Sequence, residues 1–207
     1  MTIAEAKAEI LLRLYKGKPS DDIQIGDRQL SLWLSKHKNA LLVDHIRKNG
    51  GDVPASSAKR YECNAVKIET PVCVTEGCYS HYYLDLPVPI LSLNNDTGIH
   101  RMLTQAGEEY LRFHAGAQNI LKHLKYSAPS NDRPGWFRIE DKIYLIGDGL
   151  EGRLFAMDLV VSDISNYDDN DTFPLPSGLM AILIDMCVND GAQQLQTVND
   201  LKDDGKE

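Results

Sequence analysis

The hydrophobic period of this sequence changes at Arg60, from one that suits helices to one that suits strands, and, apart from a mixed helical stretch at 104–125, returns to the helical period only at Ser177. Apolar residues recurring at three and four positions line one face of a helix, whereas apolar residues at every second position line one face of a strand. A chain that keeps the two patterns in separate stretches cannot build the alternating units of a parallel α/β sheet. It is expected to be α+β, with an N-terminal helical pair, a central antiparallel β-sheet and a C-terminal helix.

The first helix is expected over residues 2–16. Ile3, Ala6, Ile10, Leu11 and Leu14 share a face, Thr2 and Glu5 form a capping box, and Gly17 and Pro19 end it. The second runs from Asp27, as N-cap, to Asn49 before Gly50-Gly51. Its stripe is Leu30, Trp33, Leu34, His37, Leu41 and His45, with Ala40 beside it. His37 and His45 are packing histidines on this pattern. Lys36, Lys38, Arg47 and Lys48 lie off the stripe and are expected in solvent; a phosphate-binding face is the sharper alternative.

Strands are expected over Tyr61–Ile68, Val72–Val74, Cys78–Leu86 and Ile90–Leu93, the last two separated by Pro87 and Pro89. A mixed helical stretch follows at 104–125, then a polar loop at 127–135. Trp136–Ile139 and Lys142–Ile146 form a hairpin about Glu140-Asp141, and Arg153–Val161 is a longer strand. Residues 162–176 are an acidic, solvated loop. The expected regions are 1–58, helical; 59–165, mainly β with inserted helices; and 166–207, the acidic loop, last helix and tail.

That last helix, with Ser177 as N-cap, is apolar almost all round. Leu179, Ile182, Leu183 and Met186 form one stripe, which the chain's own sheet is expected to cover. Met180, Ile184 and Cys187 form a second, expected to face a neighbouring subunit.

Motifs for chemistry are weak. Gly147-Asp148-Gly149-Leu150-Glu151-Gly152 has the spacing of a dinucleotide fingerprint, but a strand rather than a helix follows, and a helix N-terminus is what holds the pyrophosphate. It is a hairpin turn. Asp168-Asp169-Asn170-Asp171 lacks the central Gly and terminal Glu of a calcium loop. Cys63, Cys73, Cys78 and His81 offer only one plausible zinc knuckle, so reduced, metal-free thiols are expected, Cys187 among them. No nucleophile–base arrangement is visible, and the expectation is no catalytic centre, no cofactor and no metal.

Charge narrows the partners. Residues 1–60 hold 11 Lys and Arg against 7 Asp and Glu, net +4; the rest of the chain holds 11 against 23, net −12. From Asp158 onward the count is 2 against 11, net −9. Sequence-specific DNA binding is disfavoured, because duplex affinity comes largely from neutralised phosphates. A basic head and an acidic tail suit head-to-tail self-association. The most apolar run, Leu179–Val188, is too short for a membrane span, and the first residues do not resemble a secretory signal.

The helix Asp27–Gly51, with Trp33 and Ala40-Leu41-Leu42, leads into a strand with Cys63, a region with Cys73 and Cys78, the Pro87-Val88-Pro89-Ile90 segment and the Ile143-Tyr144-Leu145-Ile146 strand before the long strand. This order resembles the connector ring proteins of tailed phages, in particular crAss-like phages, over residues 20–165. The acidic loop departs from the Glu-Asp-Pro ending of that family. The resemblance implies a non-enzymatic virion protein, made in the host cytoplasm. It would be a subunit of a homo-oligomeric ring, commonly twelvefold, that joins the portal to other connector or tail proteins. Its acidic channel would let genomic double-stranded DNA slide without binding. The alternative is a soluble bacterial enzyme or ligand-binding domain.

Overall fold

The computed structural model describes residues 1–17, 25–74, 77–92, 98–103, 135–146 and 150–203. The chain is α+β and divides into two compact units, Met1–Ser57 with Ser162–Glu207, and Ala58–Val161. The head and the tail, expected as separate regions, therefore close into one unit, and the other is inserted between them in the sequence. The expected helical stretch at 104–125 lies outside the described residues.

In the first unit, helices α1 (Ile3–Leu14), α2 (Asp27–Lys48) and α3 (Met180–Asp203) pack together, with α3 against both others. The capping box on α1 is present: Thr2 Oγ1 accepts from Glu5 N at 3.2 Å and Glu5 Oε2 from Thr2 N at 2.8 Å. The two N–H groups a capping box leaves open are taken by the acidic loop. Ile3 N donates to Asp171 O and Ala4 N to Asp169 O. Residues 162–176 are thus not simply solvated. Phe173 and Leu175 are buried, and the segment is stitched to α1.

The buried side of α2 is Leu30, Trp33, Leu34, His37, Lys38, Leu42 and Ile46. The expected stripe holds as far as His37 and then shifts by one position, to Leu42 and Ile46 in place of Leu41 and His45. Gly26, not Asp27, is the N-cap. Where α3 passes α1 and α2, a Cβ on Gly191 would lie 2.7 Å from Leu14 Cδ1 and 3.2 Å from a Trp33 ring carbon, so a larger residue there would require the Leu14 side chain to shift.

The second unit holds two antiparallel sheets. Strands β1 (Lys59–Asn64), β7 (Leu154–Leu159) and β4 (Ile99–Leu103) form one; β2 (Val66–Val74), β3 (Gly77–Asp85), β6 (Lys142–Ile146) and β5 (Gly135–Ile139) form the other. The single strand expected at 61–68 is broken at Ala65, whose N–H and C=O are both taken by the 152–153 turn. The chain changes sheet there. Ile90 makes an isolated bridge to Val161 rather than a strand. The hairpin about Glu140-Asp141 is present, with Ile139 opposite Lys142 and Glu140 at a φ of 53°. Tyr82, Leu84, Ile143, Leu145 and Trp136 from one sheet meet Phe155, Met157, Leu159, Ile99 and Met102 from the other in one buried cluster. No helix among the described residues is long and apolar enough to cross a membrane.

Candidate functional site

A groove of about 880 Å³ runs along α2 in the helical unit. Its α2 wall carries Arg28, Leu32, Ser35, Lys36 and Asn39, and the opposite wall includes Asp163 and, from α3, Gln194. Leu32 in this wall is 60% exposed; Leu12, Val43 and Ile182 elsewhere on the helices are exposed to a lesser degree.

Beneath this wall lies a polar junction. Ser162 O accepts from Lys38 Nζ at 3.2 Å and from Asn39 Nδ2 at 3.0 Å. Asp163 caps a short 3₁₀ turn at Ile164–Asn166: its Oδ1 accepts from Ser165 N at 2.9 Å and from Ser35 Oγ at 3.3 Å, and Ser35 Oγ accepts from Ile164 N. Burial disfavours the charge of Asp163. The N–H of Ser165, the Ser35 hydroxyl and the Lys38 charge outweigh it, and the carboxyl sits below its ordinary range.

Lys38 is 1% exposed, and burial pushes its ammonium down to about 8 against the pull of Asp163. It was expected in solvent. The signal for its burial is in the sequence: Leu34, Lys38, Leu42 and Ile46 recur every four residues, so Lys38 occupies a core position of the helix. A buried amine with a lowered pKa suits nucleophilic chemistry. This one is shielded and directed at a backbone carbonyl, so it serves as a tie. Asn39 Oδ1, in the groove wall, is shielded from solvent and has no hydrogen-bond partner.

The remaining α2 cations of the expected phosphate face are engaged. Lys36 Nζ lies 2.8 Å from Asp190 Oδ2, and His37 Nε2 lies 2.9 Å from the same oxygen. Lys36 foremost, with His37, holds the Asp190 carboxyl below its ordinary range despite burial. Arg47 and Lys48 both pair with Asp44. Lys7 bridges Asp27 and Asp169, each at 2.8 Å, and Arg13 reaches Asp185 at 2.8 Å. Part of the charge contrast between head and tail is therefore satisfied within one chain.

In the second unit, Asp158 is 5% exposed at the centre of its sheet. Arg60 lies directly across from it on β1 and Arg101 on β4, with Nε–Oδ1 and Nη2–Oδ2 distances of 2.9 Å. Burial raises its pKa, but the hydrogen bonds and charges of the two arginines prevail and leave it lowered.

The residues expected at a subunit joint are placed differently. Met180, Ile184 and Cys187 are buried inside the chain, at 9%, 2% and 0% exposure, where α3 meets α1 and α2; Ile182, assigned to the inner stripe, is 47% exposed. The correction has a simple cause. Helices α1 and α2 of the same chain cover α3, and they meet its other side.

Cys187 is a free thiol that burial pushes up to about 12, and Cys63 is a free thiol also raised by burial. Neither is activated. The register of the β2–β3 hairpin sets Cys73 opposite Cys78 in a different sheet from Cys63. Among the described residues no group of three His, Cys, Asp or Glu side chains could hold a metal ion. Of the glycine-spaced motif, Gly147–Gly149 lie outside the described residues; Leu150 is buried and Gly152 turns at a φ of 70° into β7. No protein-family model matches the chain, and no curated protein matches it.

Proposed function

We propose that this chain is a non-enzymatic structural subunit of a virion, one copy in a head-to-tail connector ring that joins the portal to the tail. The observation that carries the reading is how the ionisable groups are used. Lys7, Arg13, Lys36 and His37 each reach an aspartate more than 150 positions away in the sequence, and Arg60 and Arg101 share Asp158. These groups tie distant segments of the backbone together instead of converging on one open cavity, as a catalytic site requires. The order of helix, cysteine strands and proline-linked segment adds the specific resemblance. The net charge of −8 suits a channel that must not hold DNA.

The test is electron imaging and mass measurement of the chain assembled with a portal from the same genome. Closed rings coaxial with the portal are expected. A particle with the tail attached and this chain missing from it would overturn the reading.

A second reading, a ligand-binding domain, draws on the groove along α2, whose wall carries Arg28, Ser35 and Asn39. A saturable small-molecule ligand whose binding is lost in Asn39→Ala, in a chain absent from virions, would favour it.

A further inference from the structure

We propose that Cys73 and Cys78 are a redox pair, two thiols that a single disulfide bond joins across the tip of the β2–β3 hairpin. Backbone register carries this, independently of the assembly reading above.

The last three pairs of the antiparallel β2–β3 ladder are Val72 with Tyr79, Cys73 with Cys78 and Val74 with Gly77. Only two residues join Val74 to Gly77. A connection that short is closed by a hydrogen bond from the N–H after it to the carbonyl before it, which makes Val74–Gly77 a hydrogen-bonded pair. Pairs alternate along an antiparallel ladder, so Cys73–Cys78 is a non-hydrogen-bonded pair. In such a pair the Cα atoms lie about 4.5 Å apart, inside the roughly 4.4–6.8 Å that a disulfide spans. Directly opposed residues also share one face of the ribbon.

The other candidate partners are placed elsewhere. Cys63 is on β1, in the other sheet, and Cys187 is a buried free thiol on α3. His81 is three positions from Cys78 on one strand, hence on the opposite face, which removes it from a ligand set with the pair.

The position gives the bond a task. Strand β6 pairs with β3 only over His81–Asp85; over Gly77–Tyr79, β3 pairs only with β2 among the described strands. A two-stranded ribbon holds weakly on its own. The β2–β3 register also shifts between Ile68 and Val72, which sets the tip off from the base of the hairpin. A bond between Cys73 and Cys78 pins the tip in register beyond that irregularity. The loop it closes is short, so it restrains the unfolded chain little and acts as a reversible clamp rather than a structural staple.

The oxidant is a low-molecular-weight disulfide of the glutathione type. One cysteine thiolate attacks it, forming a mixed disulfide and releasing one small thiol. The opposed thiolate then attacks the protein sulfur of that mixed disulfide and releases the second small thiol. Two cysteine thiols lose two protons and two electrons, and the small disulfide gains both.

The experiment equilibrates the full chain in glutathione buffers of increasing oxidised fraction, quenches with acid, alkylates in denaturant and maps the peptides by mass spectrometry. Cys73 and Cys78 are expected to lose alkylation together and to appear as one linked species, while Cys63 and Cys187 stay alkylated. Amide exchange over Val72–Val74 and Gly77–Tyr79 is expected to slow roughly tenfold or more in the oxidised form and to recover on reduction with a dithiol. Cys78→Ser is expected to stop at a mixed disulfide on Cys73, and Cys63→Ser to change nothing. Both cysteines alkylated at every buffer ratio would overturn the proposal. So would glutathione retained on each with no link between them, or a link from either to Cys63. Stoichiometric zinc in the chelator-washed wild type, lost in Cys73→Ser, would overturn it by making the pair metal ligands. Linked cysteines with unchanged exchange would overturn the clamp.

Discussion

The helical unit and the β unit are held together in different ways. The β unit has one apolar cluster shared by two sheets, and its ionic knot, Arg60–Asp158–Arg101, follows from strand register alone, since the three residues are direct neighbours across the sheet. The helical unit gathers both ends of the chain, and polar contacts run across its seams: Lys7 to Asp169, Lys36 and His37 to Asp190, and Lys38 to Ser162 O. The contrast teaches that register can place a charged group among strands at little cost in chain entropy, whereas two chain ends must be matched by shape and charge together.

The two tryptophans make the comparison measurable, because Trp33 lies in the helical unit and Trp136 in the β unit, both buried. The largest effect is expected from Ile184→Asp. It strands a carboxylate in the seam of three helices and should cost at least about 5 kcal/mol, so that Trp33 fluorescence reports an unfolded helical unit at room temperature. Retention of a native Trp33 signal, with assembly alone impaired, would put α3 at a subunit joint after all. Phe155→Ala should remove about 3–4 kcal/mol from the β unit in denaturant titrations followed at Trp136. A loss confined to Trp33 would show that the division into two units is wrong.

The next effect separates the units by pH. The ammonium of Lys38 has a folded pKa of about 8 against an ordinary 10.5. Between these values the unfolded chain binds the extra proton, so stability rises with pH, in total on the order of 2–3 kcal/mol. Thermal melting followed at Trp33 from pH 7.5 to 10 should show the wild type gaining on Lys38→Met, in which the dependence is absent. A flat difference would mean that Lys38 is not buried as a charge. The smallest effect is expected from Lys7→Met, about 1 kcal/mol and diminishing with added salt, because Asp27 and Asp169 are themselves exposed. A salt-independent loss would assign Lys7 to packing.

Local features of the fold were legible in the sequence. The capping box at Thr2 and Glu5 depends on two side chains within one turn, and the hairpin at Glu140-Asp141 on two residues between alternating strands. The break at Ala65 left a mark that the reading of one strand passed over: apolar residues fall at 61, 63 and 65 and then at 66 and 68, so the alternation slips by one position there. The covering of Met180, Ile184 and Cys187 was not legible. Their apolar character shows that something must cover them, while the identity of the cover, α1 and α2 from the far end of the chain, is a tertiary fact. The groove was hidden as well, since its α2 cations read first as a solvated face. Lys38 was misplaced with them, although its four-residue spacing with Leu34, Leu42 and Ile46 marks it as interior.

The inserted arrangement of the units has a consequence for synthesis. A ribosome delivers α1 and α2 first, then the whole of the β unit, and only afterwards the segment from Ser162 that completes the helical unit. At cellular elongation rates the interval is on the order of ten seconds, long compared with the formation of a helix or hairpin. Throughout it, α1 and α2 lack α3, which packs against both in the finished fold and brings Gly191 beside Trp33. The β unit is thus free to fold on the nascent chain, while α1 and α2 wait, half-finished and adhesive, for the segment from Ser162.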